Sequence, residues 1–212
     1  MSRTCQQLHR LFASLEPHTF PFDAKKIPTN GIYILYETGE RGHGSKRIVR
    51  IGSHTGKDQL LARLRQHFVN EIKDRSVFRK NIGRALLNRY RDPYLEQWNK
   101  DLTSTASKKK YSTDLDSRKQ KAIERRVSDY LRNRFKFVVF GVPKKRERLR
   151  YETKLITTIS KCNVCRSSDK WLGRYSPIVK ISSGKLWQVK DLDGTPLTRG
   201  ECSSLRKLVA GK

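Results

Sequence analysis

No apolar run in the sequence approaches the roughly 20 residues that a membrane span requires. No signal-peptide pattern opens it either. These two absences argue against a membrane protein and lead to the expectation of a cytoplasmic one. Acidic residues are scarce: 20 Asp plus Glu stand against 47 Lys plus Arg, a formal net charge of +27. A fold this positive repels itself unless an anionic partner is present. The basic residues are spread over most of the chain rather than gathered in a tail. That favours a folded domain lying against a polyanion, with an acidic membrane surface as the competing partner. Cysteine is sparse, at positions Cys5, Cys162, Cys165 and Cys202. Cys162-Asn163-Val164-Cys165 has metal-ligand spacing, but neither a second Cys-x-x-Cys nor a His-x-x-x-His accompanies it. Reduced structural thiols are therefore expected rather than zinc. No internal repeat is present.

What is there begins with Gly31-Ile32-Tyr33, which opens the apolar run Ile32-Tyr33-Ile34-Leu35-Tyr36. Its β-branched and aromatic composition predicts a strand covered on both faces. Ile48-Val49-Arg50-Ile51-Gly52 follows a polar, Gly-bearing connection, and the two runs suggest an antiparallel pair. By strand parity Tyr36 falls on the face opposite Tyr33, whereas Tyr33 and Arg50 can share a face. A helix is predicted next, with Leu60, Leu61, Leu64 and Phe68 inward and Arg63 and His67 four apart on one surface.

The hydrophobic fraction is low, 35%, yet 212 residues suffice for a real core in one domain with additions. Residues 4–15 read as an amphipathic helix with capping-box spacing at Thr4 and Gln7. Ser76 is expected to cap a helix burying Phe78, Ile82, Ala85 and Leu86 and turning Arg79, Lys80, Arg84 and Arg89 to its other face. Asp92-Pro93 starts a short helix carrying Leu95, Trp98 and Leu102. Residues 103–121 read as a loop that includes Lys108-Lys109-Lys110, either solvated or tracking phosphates. Ile123, Val127, Tyr130 and Leu131 mark a helix with Glu124, Arg125 and Arg126 outward, and residues 135–142 a third strand. Residues 145–160 form a helix, 179–182 and 186–192 can pair as a hairpin, and 201–210 form a terminal helix.

Glu152 lies in the helical row Leu149, Leu155, Ile156 and Ile159. A carboxylate within an apolar stripe is costly without a partner. A Mg²⁺ ion or an arginine at the stripe's edge would answer that need. Tyr33 reads either as a core tyrosine with its hydroxyl at the rim, or as a phenol among cations that takes a proton from water. Asp191-x-Asp193-Gly194 lacks the remaining calcium ligands and reads as a turn.

Taken together, Gly31-Ile32-Tyr33, Ile51-Gly52, Arg63, His67 and Glu152 resemble the GIY-YIG nuclease superfamily over roughly residues 30–165. The second motif departs from the pattern, since Arg50 holds its tyrosine position. The resemblance implies an α/β fold: a small, mainly antiparallel three-stranded sheet (31–36, 47–52, 135–141) flanked by helices. A helical N-terminal arm (1–29), a core (30–165) with an insertion at about 91–133, and a C-terminal hairpin-and-helix extension (166–212) are expected. It implies Mg²⁺- or Mn²⁺-dependent hydrolysis of double-stranded DNA. Tyr33 is then the base, with His67 as an alternative; Arg50 and Arg63 balance phosphate charge, and Glu152 holds the metal. Asn163 is a weaker match to a family asparagine. His54, Arg79, Lys80, Arg84, Lys108, Lys109, Lys110 and Asn163 are candidate DNA contacts. A free-standing chain of this kind looks most like a restriction-type endonuclease, with a homodimer suiting a palindromic target. A repair or recombination nuclease of the same family, or a DNA- or RNA-binding protein that has lost catalysis, are the alternatives.

Overall fold

The computed structural model describes residues 2–111 and 115–211. The run from Gly31 forms the first half of β1 (Gly31–Gly42), the middle strand of a three-stranded antiparallel sheet with β2 (Ser45–Gly52) and β3 (Phe135–Gly141) at its edges. Tyr33 lies opposite Gly52 and Val139, and Leu35 opposite Arg50 and Phe137. Parity then divides the core in two. Tyr33 and Leu35 join Leu60, Leu64, Phe68, Phe78 and Phe137 beneath α2 (Leu60–Phe68), α3 (Val77–Arg89) and α6 (Ser117–Arg134). Ile32, Ile34, Tyr36, Ile48 and Ile51 join Leu8, Phe12, Leu155 and Ile156 beneath α1 (Ser2–Ala13), α7 (Lys145–Ser160) and α9 (Arg199–Val209). Fully burying each such side chain contributes about 1.5–3 kcal/mol, so a strand apolar on both faces is held from both sides.

β1 runs six residues past the predicted end at Tyr36, through Glu37 and Glu40, because both carboxylates are buried and satisfied. Glu37 accepts hydrogen bonds from the indoles of Trp171 (2.9 Å) and Trp187 (2.8 Å) and from the Tyr130 hydroxyl. Glu40 accepts from the Arg47 guanidinium (2.8 Å) and from Ser168. The polar half of β1 thus anchors the C-terminal residues, whose two tryptophans complete the first core.

Several expectations are corrected. Residues 179–182 and 186–192 do not pair as a hairpin. Val179–Ser182 is a one-turn helix, α8. Trp187 instead donates its N–H to the Val49 carbonyl (2.8 Å) beside β2, because its ring fits the core under Glu37. Residues 103–121 are more helical than their Ser/Thr/Lys-rich composition suggests: after the expected short helix α4 (Leu95–Asn99), α5 (Thr105–Tyr111) and the first turn of α6 fall in them. Glu124 does not face outward. It is buried against Arg79, 2.7 Å away, and holds the Lys73 amide as well.

Candidate active site

The arrangement starts at two glycines. A Cβ on Gly52 would lie 2.2 Å from the Tyr33 hydroxyl, and one on Gly31 would lie 2.2 Å from the Phe140 carbonyl oxygen. Only glycine lets the middle strand sit this close to its neighbours and lets the phenol reach across to β2. The Tyr33 hydroxyl is 2.8 Å from Nε2 of His67 on α2. The other ring nitrogen, Nδ1, is 2.8 Å from the Ser76 hydroxyl. Ser76 caps α3, its oxygen accepting the Arg79 amide (3.2 Å), so its own proton is free to be donated to Nδ1. Burial, reinforced by the Arg63, Arg50 and Arg79 charges, holds His67 well below the ordinary histidine range and therefore neutral. With Ser76 donating to Nδ1, Nε2–H donates to the Tyr33 oxygen. His67 is fully buried, with its two ring nitrogens against the Tyr33 and Ser76 hydroxyls.

In front of this chain opens a cleft of about 590 Å³. Ser53, His54, Gln59, Arg63, Leu149, Glu152 and Lys190 line it. Glu152 is half-buried, at the edge of the apolar stripe of α7 rather than inside it; Arg148 and Tyr151 take the inward positions. Its Oε2 accepts the Ser53 hydroxyl. Burial pushes its pKa up, opposed by the Ser53 hydrogen bond and by the Arg50 charge. Arg63 is half-buried, its guanidinium resting on Gln66 (3.0 Å) and the Arg75 carbonyl (3.3 Å).

Arg50 is 8% exposed. Its guanidinium stacks over Phe78 at 4.9 Å and donates to the Trp187 carbonyl, while its buried Nε has no partner. It shares the Tyr33 face, as parity predicts, and its charge is felt by both His67 and Glu152.

The remaining candidate contacts are dispersed. His54 is buried, its Nδ1–H donating to the Gly56 carbonyl (2.8 Å) and its Nε2 accepting from the Gly31 amide (3.3 Å), so it braces the loop rather than offering a nitrogen to phosphate. Arg79 is fully buried, held by Glu124, Ser128 and the His67 carbonyl. Lys80 pairs with Asp74 at 3.1 Å, and Arg84 bonds Asn99 and Asn81. The expectation that α3 turns a cationic face outward fails because α4 covers that face, with the Trp98 ring seated against Gly83. Lys109 and Lys110 are exposed on α5; the Lys108 side chain lies outside what the structure describes. Asn163 is exposed beyond the end of α7, 11 residues past Glu152, and does not line the cleft. Sequence reasoning missed Ser53, Gln59, Lys190 and Ser76 in these roles. Ser53 and Gln59 flank the second motif and its helix, a placement that signals a site. Lys190 carries no such signal, since it arrives from the C-terminal residues.

Oxygen donors on Glu152 and Ser53 at the mouth of an open cleft suit a hard divalent cation that keeps waters and takes a substrate phosphate. The donor set therefore fits the divalent metal that nucleases of this architecture typically use. No curated protein and no solved structure matches the chain. A family model, GIY-YIG domain, matches residues 5–210, so the match runs through the N-terminal helix and the C-terminal residues as well as the sheet. With that match and this sheet, the chain belongs to the GIY-YIG family and is a nuclease of that superfamily.

Proposed function

We propose that the chain is a Mg²⁺- or Mn²⁺-dependent DNA endonuclease, of restriction type, that hydrolyses phosphodiesters of double-stranded DNA in the cleft between α2 and α7. The observation that carries this reading is the cleft where the Glu152 carboxylate, bonded by Ser53 next to Gly52, shares one space with Arg63 and Lys190. Glu152, oriented by Ser53, would hold the ion. When bound, the ion supplies Lewis-acid stabilisation of the leaving 3′ oxygen. Arg63 offers forked donors to the phosphate oxygens, where charge grows in the transition state. Tyr33 takes the proton of the attacking water beside Gly52, and neutral His67 fixes which face of the phenol oxygen receives it. Tyr33 is 1% exposed, so DNA binding must open the Gly52–Ser53 edge to admit that water. Arg50 replaces a tyrosine as a fixed charge behind the site. Lys109 and Lys110 on α5 add phosphate contacts. A palindromic target is met by two copies of the chain, in the cytoplasm.

The test is supercoiled plasmid and genomic DNA incubated with the purified chain and Mg²⁺ or Mn²⁺, against EDTA and against Glu152→Gln. Metal-dependent nicking or linearisation by wild type alone is expected. Cleavage by pure Glu152→Gln at the wild-type rate would refute the assignment of Glu152. One observation favours a second reading, a binding protein without catalysis: Arg50 is engaged with Phe78 and the Trp187 carbonyl rather than aimed into the cleft. That reading predicts DNA binding with no cleavage by wild type under any of these conditions.

A further inference from the structure

At the turn end of the β1–β2 hairpin, three segments distant in sequence bring soft ligands together. Cys5 and His9 lie one helical turn apart on α1, an i, i+4 pair facing the sheet. His43 sits at the tip of the hairpin, where it and Gly44, with φ of +52° and +76°, form the two-residue turn between β1 and β2. Cys162 and Cys165 follow the end of α7. The ligand atoms of Cys5, His9, His43 and Cys165 all lie within 4.8 Å of one another. The Cys5 sulfur is 3.6 Å from His9 Nδ1, the Cys165 sulfur 3.6 Å from His9 Nε2, and the Cys162 sulfur 3.3 Å from His43 Nε2. Around a tetrahedral zinc, Zn–S of about 2.3 Å and Zn–N of about 2.0–2.1 Å set neighbouring ligand atoms roughly 3.3–3.8 Å apart. Of the three distances, the 3.6 Å between the Cys165 sulfur and His9 Nε2 joins two ligand atoms and falls in that range; the four ligand atoms, within 4.8 Å of one another, need to close by about 1 Å at most to reach it.

Its surroundings are built to match. Cys5, Cys162 and Cys165 are fully buried and His9 nearly so. His9 Nδ1 donates to the Cys5 carbonyl at 2.9 Å, the outer hydrogen bond that fixes an imidazole tautomer and leaves Nε2 facing the cluster, where it accepts the Ile48 amide at 3.3 Å and would exchange that contact for the metal. Gly42 keeps the space open: a Cβ there would meet the Cys165 sulfur at 2.8 Å and His9 Nε2 at 3.2 Å. None of these residues lines the cleft. Gly42 is nine residues along β1 from Tyr33, roughly 30 Å at 3.3 Å per residue. Two thiolates and two imidazoles complete a four-coordinate set with no position left for substrate, which marks a structural site.

We propose that Cys5, His9, His43 and Cys165 hold a structural zinc ion, with Cys162 beside His43 at its rim. The ion staples α1 to the hairpin tip and to the residues after α7. It is a different site from the one at Glu152 and does not depend on the nuclease reading.

The full chain, produced without a histidine tag, is purified and its metal content measured by mass spectrometry. Close to one zinc per chain is expected. Cys5→Ser with Cys165→Ser should lower zinc content at least tenfold and Tm by on the order of 10 °C. Cys202→Ser, a buried cysteine outside the cluster, and Glu152→Gln should keep their zinc. Should the double variant fail to fold, Co²⁺ exchanged into the wild-type chain decides. The intense visible bands of tetrahedral cobalt with thiolate charge transfer support the site, and a weak octahedral spectrum overturns it. Wild type that takes up no zinc even when reduced and given Zn²⁺, a double variant that retains it, or a Cys5–Cys165 disulfide in place of metal would each overturn the proposal.

Discussion

The two ends of one hairpin make opposite environments. At the Tyr33–Gly52 end the strands open onto a cleft whose donors are hard oxygens, a carboxylate and a hydroxyl, with arginine and lysine around them. At the Gly42–Ser45 end the donors are sulfur and imidazole, sealed by three chain segments. The difference lies in which partner each end leaves to water. A site that must exchange substrate keeps an open face and tolerates a half-buried charge. A site that only has to hold the chain together closes over polarisable ligands. The two ends should therefore fail separately.

The largest separation is expected from Glu152→Gln. Cleavage should fall by about 10³-fold or more, because the metal's carboxylate is lost, while thermal unfolding moves little. DNA affinity should hold or rise slightly, since a negative charge leaves the cleft; a gel-shift titration beside the plasmid assay checks both. Salt provides the next contrast. With a net charge of +27, affinity for non-cognate duplex should fall by on the order of 10³ between 50 and 200 mM salt if about six phosphates are contacted. Zinc content should not change over that range, and a flat binding curve would mean that the charge serves something other than DNA.

Arg50→Ala is expected to lower kcat by about 10²-fold, roughly 3 kcal/mol, as for loss of one preorganised charge near the transition state. Arg50→Lys should restore part of it. Because Arg50 also touches Phe78 and Trp187, Tm is measured alongside, and equal rates for wild type and Arg50→Ala would refute the electrostatic role.

The smallest effect is on stability against pH. His67 is held neutral in the folded chain by burial, below the ordinary histidine value near 6.5. Below that value the unfolded chain binds a proton at this residue and the folded chain does not, so stability falls as pH falls. The slope is at most about 1.4 kcal/mol per pH unit for one such group. His18 and His54, also lowered by burial, act in the same direction. Urea unfolding between pH 5 and 7.5 should therefore show a shallower slope for His67→Gln than for wild type. Identical slopes would mean that His67 is not kept neutral.

Much of this was legible in the sequence where local composition and tertiary need agree. The apolar run after Gly31 became the middle strand, Ser76 capped α3, and residues 145–160 became α7 with those bounds. Reading failed where a polar residue is buried by a distant partner. Glu40 read as part of a loop, and Glu37 as past the strand's end, because Trp171, Trp187 and Ser168 lie more than 120 residues away. Arg79 and Glu124 each looked solvent-facing because helical periodicity cannot see that they face one another. Cys162 and Cys165 lacked a partner because the patterns sought were a second Cys-x-x-Cys and a His-x-x-x-His. Cys5-x-x-x-His9 is a different ligand spacing, one turn of α1, and it joins the proposed site from a distant part of the chain.

The Glu37 carboxylate, shared by the Trp171 and Trp187 indoles, makes the chain indivisible. A version ending at residue 165 would keep every family motif and lose both indoles, leaving a buried acid with the Tyr130 hydroxyl and no nitrogen donor. Leaving a buried acceptor without its donors costs about 1–3 kcal/mol, more when it is charged, a sizeable fraction of a domain's whole stability. The nuclease core cannot then be moved as a cassette into another protein without residues 166–190. The same two rings, 5.2 Å apart and tilted by 63°, give a built-in optical gauge. Their fluorescence should report the docking of that segment directly, ahead of any assay of cleavage.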